Sequence, residues 1–133
     1  MKGNWFVAEL EDGKRLRGRM QMEAHAKSGM YPFKVDVHWQ KSEDETFDLD
    51  MTAKFEEQLM YVFEKEKDAF LTMVTEDDKE FVFSWYVRNI QAFGTMLNNT
   101  LMLFPPLPLT LYSMDDPEWL AYNNAYKVVN CIN

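Results

Sequence analysis

At 133 residues, with 47% hydrophobic and 15% aromatic side chains, the chain has the apolar material for one domain with a single core, which excludes the disordered and low-complexity classes. Its lone cysteine, Cys131, cannot form an intramolecular disulfide, and no apolar stretch approaches the roughly 20 residues of a membrane span. The net charge of −8, from 14 basic and 22 acidic residues, argues against nucleic acid as a partner, because such binding depends on Lys and Arg displacing phosphate counterions.

The charge is unevenly placed. Residues 1 to 42 hold eight Lys or Arg against five Asp or Glu, whereas residues 43 to 118 hold five against seventeen. Such acidity either keeps a protein in solution or steers it toward a basic partner. The N-terminal MKGNWFVAEL lacks the apolar run and cleavage site of a secretory signal, so a cytoplasmic location is expected.

In chain order, Asn4 to Leu10 and Arg15 to Met22 read as a hairpin around Glu11-Asp12-Gly13-Lys14, with Asp-Gly as the turn signal. Arg15, Arg17 and Arg19 alternate onto one face of the second strand, where pairing with nearby carboxylates is expected ahead of an anion-binding strip. Residues 23 to 32 read as a loop, with Ser28-Gly29 and Tyr31-Pro32 as breakers and with His25 lacking a partner in sequence. Phe33, Val35, Val37 and Trp39 then alternate with Lys34, Asp36, His38 and Gln40, the pattern of a half-buried strand.

The acidic stretch Lys41 to Asp48 reads as a solvated loop leading to Asp50 as an N-cap. From Met51 to about Glu66, Met51, Phe55, Leu59, Val62 and Phe63 recur at helical spacing. Ala69 to Thr75 and Glu80 to Val87 form a second hairpin around Glu76-Asp77-Asp78-Lys79. Its second strand sets Phe81, Phe83, Trp85 and Val87 on a core face and Val82, Ser84, Tyr86 and Arg88 on a mixed one. Ile90, Phe93, Leu97 and Leu101 predict a second helix, closed by Phe104-Pro-Pro-Leu-Pro108 before a last strand from Leu107 to Met114, best placed at a sheet edge because of Pro108. Asp116 as N-cap, Pro117 at the first helical position and Glu118 in the first turn then start a short helix, with Trp119 and Tyr122 sealing an edge of the core.

From residue 33 onward the order is strand, helix, strand, strand, helix, strand. The expected fold is therefore α+β, a ferredoxin-like split βαβ sheet with an added N-terminal hairpin and two helices on one face. In that arrangement the strands at 33–40 and 80–87 are central neighbours. The second of them lacks the glycine and the basic start that an RNA-stacking strand requires.

Metal and nucleophile motifs are lacking. The chain has two histidines and one cysteine in neither a HExxH nor a CxxC setting, so no metal ligand set and no cofactor is expected, and Cys131 has only Lys127 nearby to lower its pKa. Pro105 and Pro108 match PxxP but are explained as a helix-to-strand connector.

The run Asp116-Pro117-Glu118-Trp119 followed by Tyr122, the strand ending Ser84-Trp85-Tyr86, the early Trp5 and the acidic turn before Gly13 together resemble the bacterial family called domain of unknown function 695, over about residues 4 to 126. The resemblance implies a small cytoplasmic α+β domain. It brings no activity and no catalytic residues.

Three functional expectations remain open. The first is a non-enzymatic protein-binding module, an inhibitor or immunity protein that masks a basic nuclease or toxin through Glu43, Asp44, Glu45, Glu76, Asp77 and Asp78. A small-ligand binder or enzyme on the outer face around Asp36, His38, Ser84 and Tyr86 is the second, with Asp36 and His38 close enough by strand period to bond. The third is a structural domain that pairs through an exposed edge strand, so monomer and homodimer both stay open.

Overall fold

The computed structural model describes residues 5–10 and 12–132, with side chains through Lys127. Asn4 of the first predicted strand, Glu11 of its turn and the Cys131 side chain lie outside the described residues. The described chain runs β1 (Trp5–Glu9), β2 (Arg15–Arg19), α1 (Glu23–Lys27), β3 (Phe33–Gln40), α2 (Glu45–Lys65), β4 (Ala69–Glu76), β5 (Glu80–Val87), α3 (Ile90–Leu101), β6 (Leu109–Asp115) and α4 (Leu120–Ile132).

The strands form one antiparallel sheet in the order β1-β2-β4-β5-β3-β6, so the fold is α+β. β3 and β5 pair from Phe33↔Val87 to Gln40↔Glu80 and are flanked by β4 and β6. The N-terminal hairpin extends the sheet on the β4 side. Gly13, at φ +86, supplies the left-handed conformation its turn requires.

One face of the sheet is covered by α2 and α3. Val35, Val37, Trp39, Phe83 and Trp85 meet Phe55, Leu59, Phe63, Phe93 and Leu97 there, all at most 3% exposed. The second face carries its own apolar cluster. β4 serves both clusters, and a bulge between Leu71 and Met73 shifts its alternation by one residue, so that Leu71 and Val74 share the first face and Phe70 and Met73 the second. Thr72 at the bulge is fully buried, and its hydroxyl donates to the Ser84 carbonyl at 3.0 Å.

Three local expectations are corrected. The acidic stretch before residue 50 is helical, because Asp44 rather than Asp50 is the N-cap, its Oδ1 receiving the Phe47 N–H at 3.0 Å. Asp48, in the first turn, reaches back to accept from the Ser42 N–H and hydroxyl, both at 2.9 Å, so carboxylates that look like solvated charge cap α2 and fasten the segment leading into it. Residues 23–27, predicted as loop, make the single turn of α1, and His25 on it stacks on Phe70 with ring centres 4.0 Å apart.

The third correction concerns the Asp-Pro-Glu-Trp run. Asp116, Pro117 and Glu118 form a turn closed by the Trp119 N–H on the Asp116 carbonyl at 3.0 Å, and helix α4 begins only at Leu120. Trp119 sits between turn and helix at φ +56, a strained value for a bulky residue. Its surroundings explain why: the indole is completely buried, stacks on Tyr86 with centres 4.1 Å apart, and donates its N–H to the Tyr31 carbonyl at 2.9 Å. From there α4 crosses the second face toward the hairpin, where Tyr122 hydrogen-bonds the Arg19 carbonyl and Tyr126 packs on Phe6.

Candidate functional site

The three arginines of β2 each find a carboxylate. Arg15 pairs with Glu76 at 3.1 Å, Arg17 with Glu56 at 2.5 Å and Arg19 with Glu64 at 2.9 Å. Arg17 also lies over the Trp5 ring, 4.7 Å from its centre. These pairs tie the hairpin to α2 and β4 and account for the arginines as structural links.

The hairpin carries the sheet beyond the part that α2 covers, so a groove opens between them. Its base is a cleft of about 590 Å³ walled by Glu43, Glu45, Leu49, Glu76, Asp78 and Phe81, together with Arg15, Lys41, Ser42 and Asp48. Over Phe81 it meets a second hollow of about 300 Å³, which adds Val7, Leu16, Arg17 and Val74. A third, of about 540 Å³, continues along α2 past Leu49, Ala53, Glu57 and Met60 to Trp5. Phe81 lines all three hollows. The acidic residues Glu43, Glu45 and Asp78 thus gather at one end of the groove, and the other two hollows are mainly apolar, with the Arg17–Glu56 pair and Glu57 along the wall of the third.

The convergence of the acidic segments follows from the pairing. The C-terminal end of β3 lies beside the start of β5, and the Lys41 N–H donates to the Lys79 carbonyl at 2.8 Å, which brings residues 41–45 against the 76–79 turn. Both cations in the cleft are already committed: the Glu76 carboxylate receives Lys41 Nζ at 2.7 Å as well as Arg15. Among the described residues Glu43, Glu45 and Asp78 have no ion-pair partner, which leaves the mouth negative.

Of the six acidic residues predicted as contacts, the fold thus gathers Glu43, Glu45, Glu76 and Asp78. The other two do local work. Asp44 caps α2, and Asp77 accepts the Lys79 and Glu80 N–H groups at 2.8 and 2.9 Å, bonds that hold its pKa below the usual carboxylate value. The floor residues Trp5, Leu49 and Phe81 were not anticipated as site residues. The alternation of β1 and β5 marks Trp5 and Phe81 as inward-facing, and nothing local shows that a groove reaches them; Phe81 is itself 7% exposed, with Lys41 Nζ 4.9 Å from its ring centre.

The second predicted grouping is dispersed. Asp36 accepts from the Ser84 hydroxyl and from Lys34 Nζ, each at 2.7 Å, whereas His38 turns its Nδ1 to Glu80 at 3.0 Å and its ring edge to Tyr112. No Asp36–His38 bond forms. Tyr86 lies beneath Trp119 and donates to Asp116 at 2.6 Å; burial first and that carboxylate second push its pKa far above the ordinary tyrosine value. Ser84 donates to a carboxylate that Lys34 already holds as an ion pair, and His38 is turned away to Glu80, so these four residues make no shared catalytic geometry.

The motif Asp116-Pro117-Glu118-Trp119 with Tyr122 is a packing device. The Asp116 carboxylate, 7% exposed as a residue, receives the Tyr86 hydroxyl and the N–H groups of Leu120 and Ala121. Among the described residues no helix is long and apolar enough to cross a membrane. In comparisons with known proteins, no family model, curated protein or solved structure gives a significant match to the chain.

Proposed function

We propose that the protein is a non-enzymatic binding module whose groove between α2 and the N-terminal hairpin holds a basic segment of a partner protein. The observation that carries this reading is the meeting of two acidic stretches, remote in sequence, at one cleft that opens onto Phe81, Leu49 and Trp5. A lysine or arginine at the mouth would face Glu43, Glu45 and Asp78, while an aliphatic or aromatic neighbour reaches the floor. Specificity then comes from the pairing of charge with an apolar anchor, and the acidic field adds to the rate of encounter.

A small acidic protein covering the basic face of a nuclease or toxin is the partner relationship that fits such a surface. The resemblance to domain of unknown function 695 supplies no activity, so the reading rests on the groove. Its test is capture from a lysate of the source cell at low and high salt, comparing the native chain with the triple variant Glu43→Lys, Glu45→Lys, Asp78→Lys. A basic protein retained by the native chain at low salt and lost with the variant supports the reading. An identical bound set for both proteins at low salt removes it.

A further inference from the structure

No charged residue occurs between Arg88 and Asp115, in a chain of which 27% is charged. This neutral run is α3, the connector after it and β6, and the sheet order places β6 at the edge farthest from the hairpin and its groove. β6 is an edge strand of seven residues, LTLYSMD, with neither lysine nor proline within it and a regular register to β3. Those are the devices with which edges are ordinarily blunted. Leu111, Tyr112 and Met114 are 42%, 59% and 52% exposed. Beside them a cleft of about 550 Å³ between α3 and β6 is walled by Leu97, Leu101, Phe104, Leu107, Leu109 and Leu111.

We infer that β6 pairs antiparallel with β6 of a second copy of this chain, extending the sheet across a two-fold axis. The choice of a second copy follows from charge. Two molecules of net charge −8 repel, and a patch that meets its own copy adds least to that repulsion where it is neutral, as the β6 edge is up to Asp115. A basic partner would find only Asp115 to pair with along this edge. With the axis at Tyr112, Leu111 lies opposite Ser113 of the other copy, Thr110 opposite Met114 and Leu109 opposite Asp115. The two aspartates then sit at opposite ends of the pair, and neither meets its equivalent across the axis. The free backbone groups of the edge gain partners, and the apolar cleft of each copy is brought toward the junction.

The test is the oligomeric state of the full chain by sedimentation equilibrium, with thiol cross-linking as a second readout. The native chain is expected to dimerise reversibly, and Leu111→Lys to weaken the dimer about tenfold or more while the far-ultraviolet circular dichroism stays native. In a Cys131→Ser background, Tyr112→Cys is expected to give a disulfide-linked dimer on mild oxidation, and Val7→Cys, on the opposite edge, is not. The inference is overturned by a native chain that stays monomeric, by a dimer insensitive to Leu111→Lys, or by cross-linking through position 7 in preference to 112. A monomer that floats with phosphatidylcholine vesicles would likewise overturn it and assign the neutral edge to a lipid surface.

Discussion

The hydroxyl of Tyr86 donates to Asp116 at 2.6 Å, while the same carboxylate holds the Leu120 and Ala121 N–H groups at 2.8 and 3.1 Å. A central strand is thereby clamped to the start of α4, and Trp119 is folded down on the Tyr86 ring. Asp116→Ala removes a helix cap and leaves a buried hydroxyl unsatisfied, so a loss of about 2–4 kcal/mol is expected in urea unfolding. Asp116→Asn, which keeps an acceptor, is expected to cost less.

Gly18 faces Phe6 across the β1–β2 pair, and a Cβ at that position would lie 2.1 Å from Phe6 Cζ. Gly18→Ala is therefore expected to destabilise by about 1–3 kcal/mol, the usual cost of overpacking. Combining it with Phe6→Leu relieves the clash, and the thermal midpoints of the single and double variants measure how much is recovered.

Arg19 is 7% exposed and gives Nη1 to both oxygens of Glu64, at 3.1 and 2.9 Å, and to the Leu71 carbonyl at 3.0 Å. Arg19→Met strands Glu64 in a partly buried site, with an expected cost of about 3 kcal/mol. Adding Glu64→Leu restores only part of this, because Glu64 also accepts the Leu71 N–H. A double-mutant cycle in urea reads the coupling directly.

His25 predicts a response to mild acid. Burial against Phe70, and then the nearby Lys67 charge, lower its pKa below 6.5 in the folded protein. The unfolded chain therefore takes up the proton more readily, and the contribution to stability is full above pH 6.5 and is lost as the pH falls below it. Thermal midpoints between about pH 7.5 and about pH 5 are expected to fall less in His25→Phe, which keeps the stack and removes the titration.

Much of this architecture is legible in local pattern. The period of two in Phe33 to Gln40 and in Glu80 to Val87 marks two inner strands of the sheet, and the spacing of Phe55, Leu59 and Phe63 marks α2. What misleads is short-range chemistry whose outcome depends on distant packing. Asp116-Pro117-Glu118 has the residues of a helix start, yet the stack on Tyr86 turns Trp119 left-handed and delays α4. The acids before residue 50 resemble solvated charge because Asp44 and Asp48 act through backbone geometry.

The site divides in the same way. Glu43, Glu45, Glu76 and Asp78 stand out as charge in the sequence, but their meeting depends on β3 pairing with β5. Asp36 and His38 share a strand face as the period requires, and separate because Lys34, Ser84 and Glu80 offer closer partners.

The most direct test of the groove is an NMR titration of the isotopically labelled chain with a short peptide of alternating lysine and leucine, set against one of alternating glutamate and leucine. Saturable shifts are expected for the amides of Glu43, Leu49, Asp78 and Phe81 with the lysine peptide alone, lost in the triple variant Glu43→Lys, Glu45→Lys, Asp78→Lys. Equal shifts with both peptides, or shifts centred on His38 and Ser84, would contradict it.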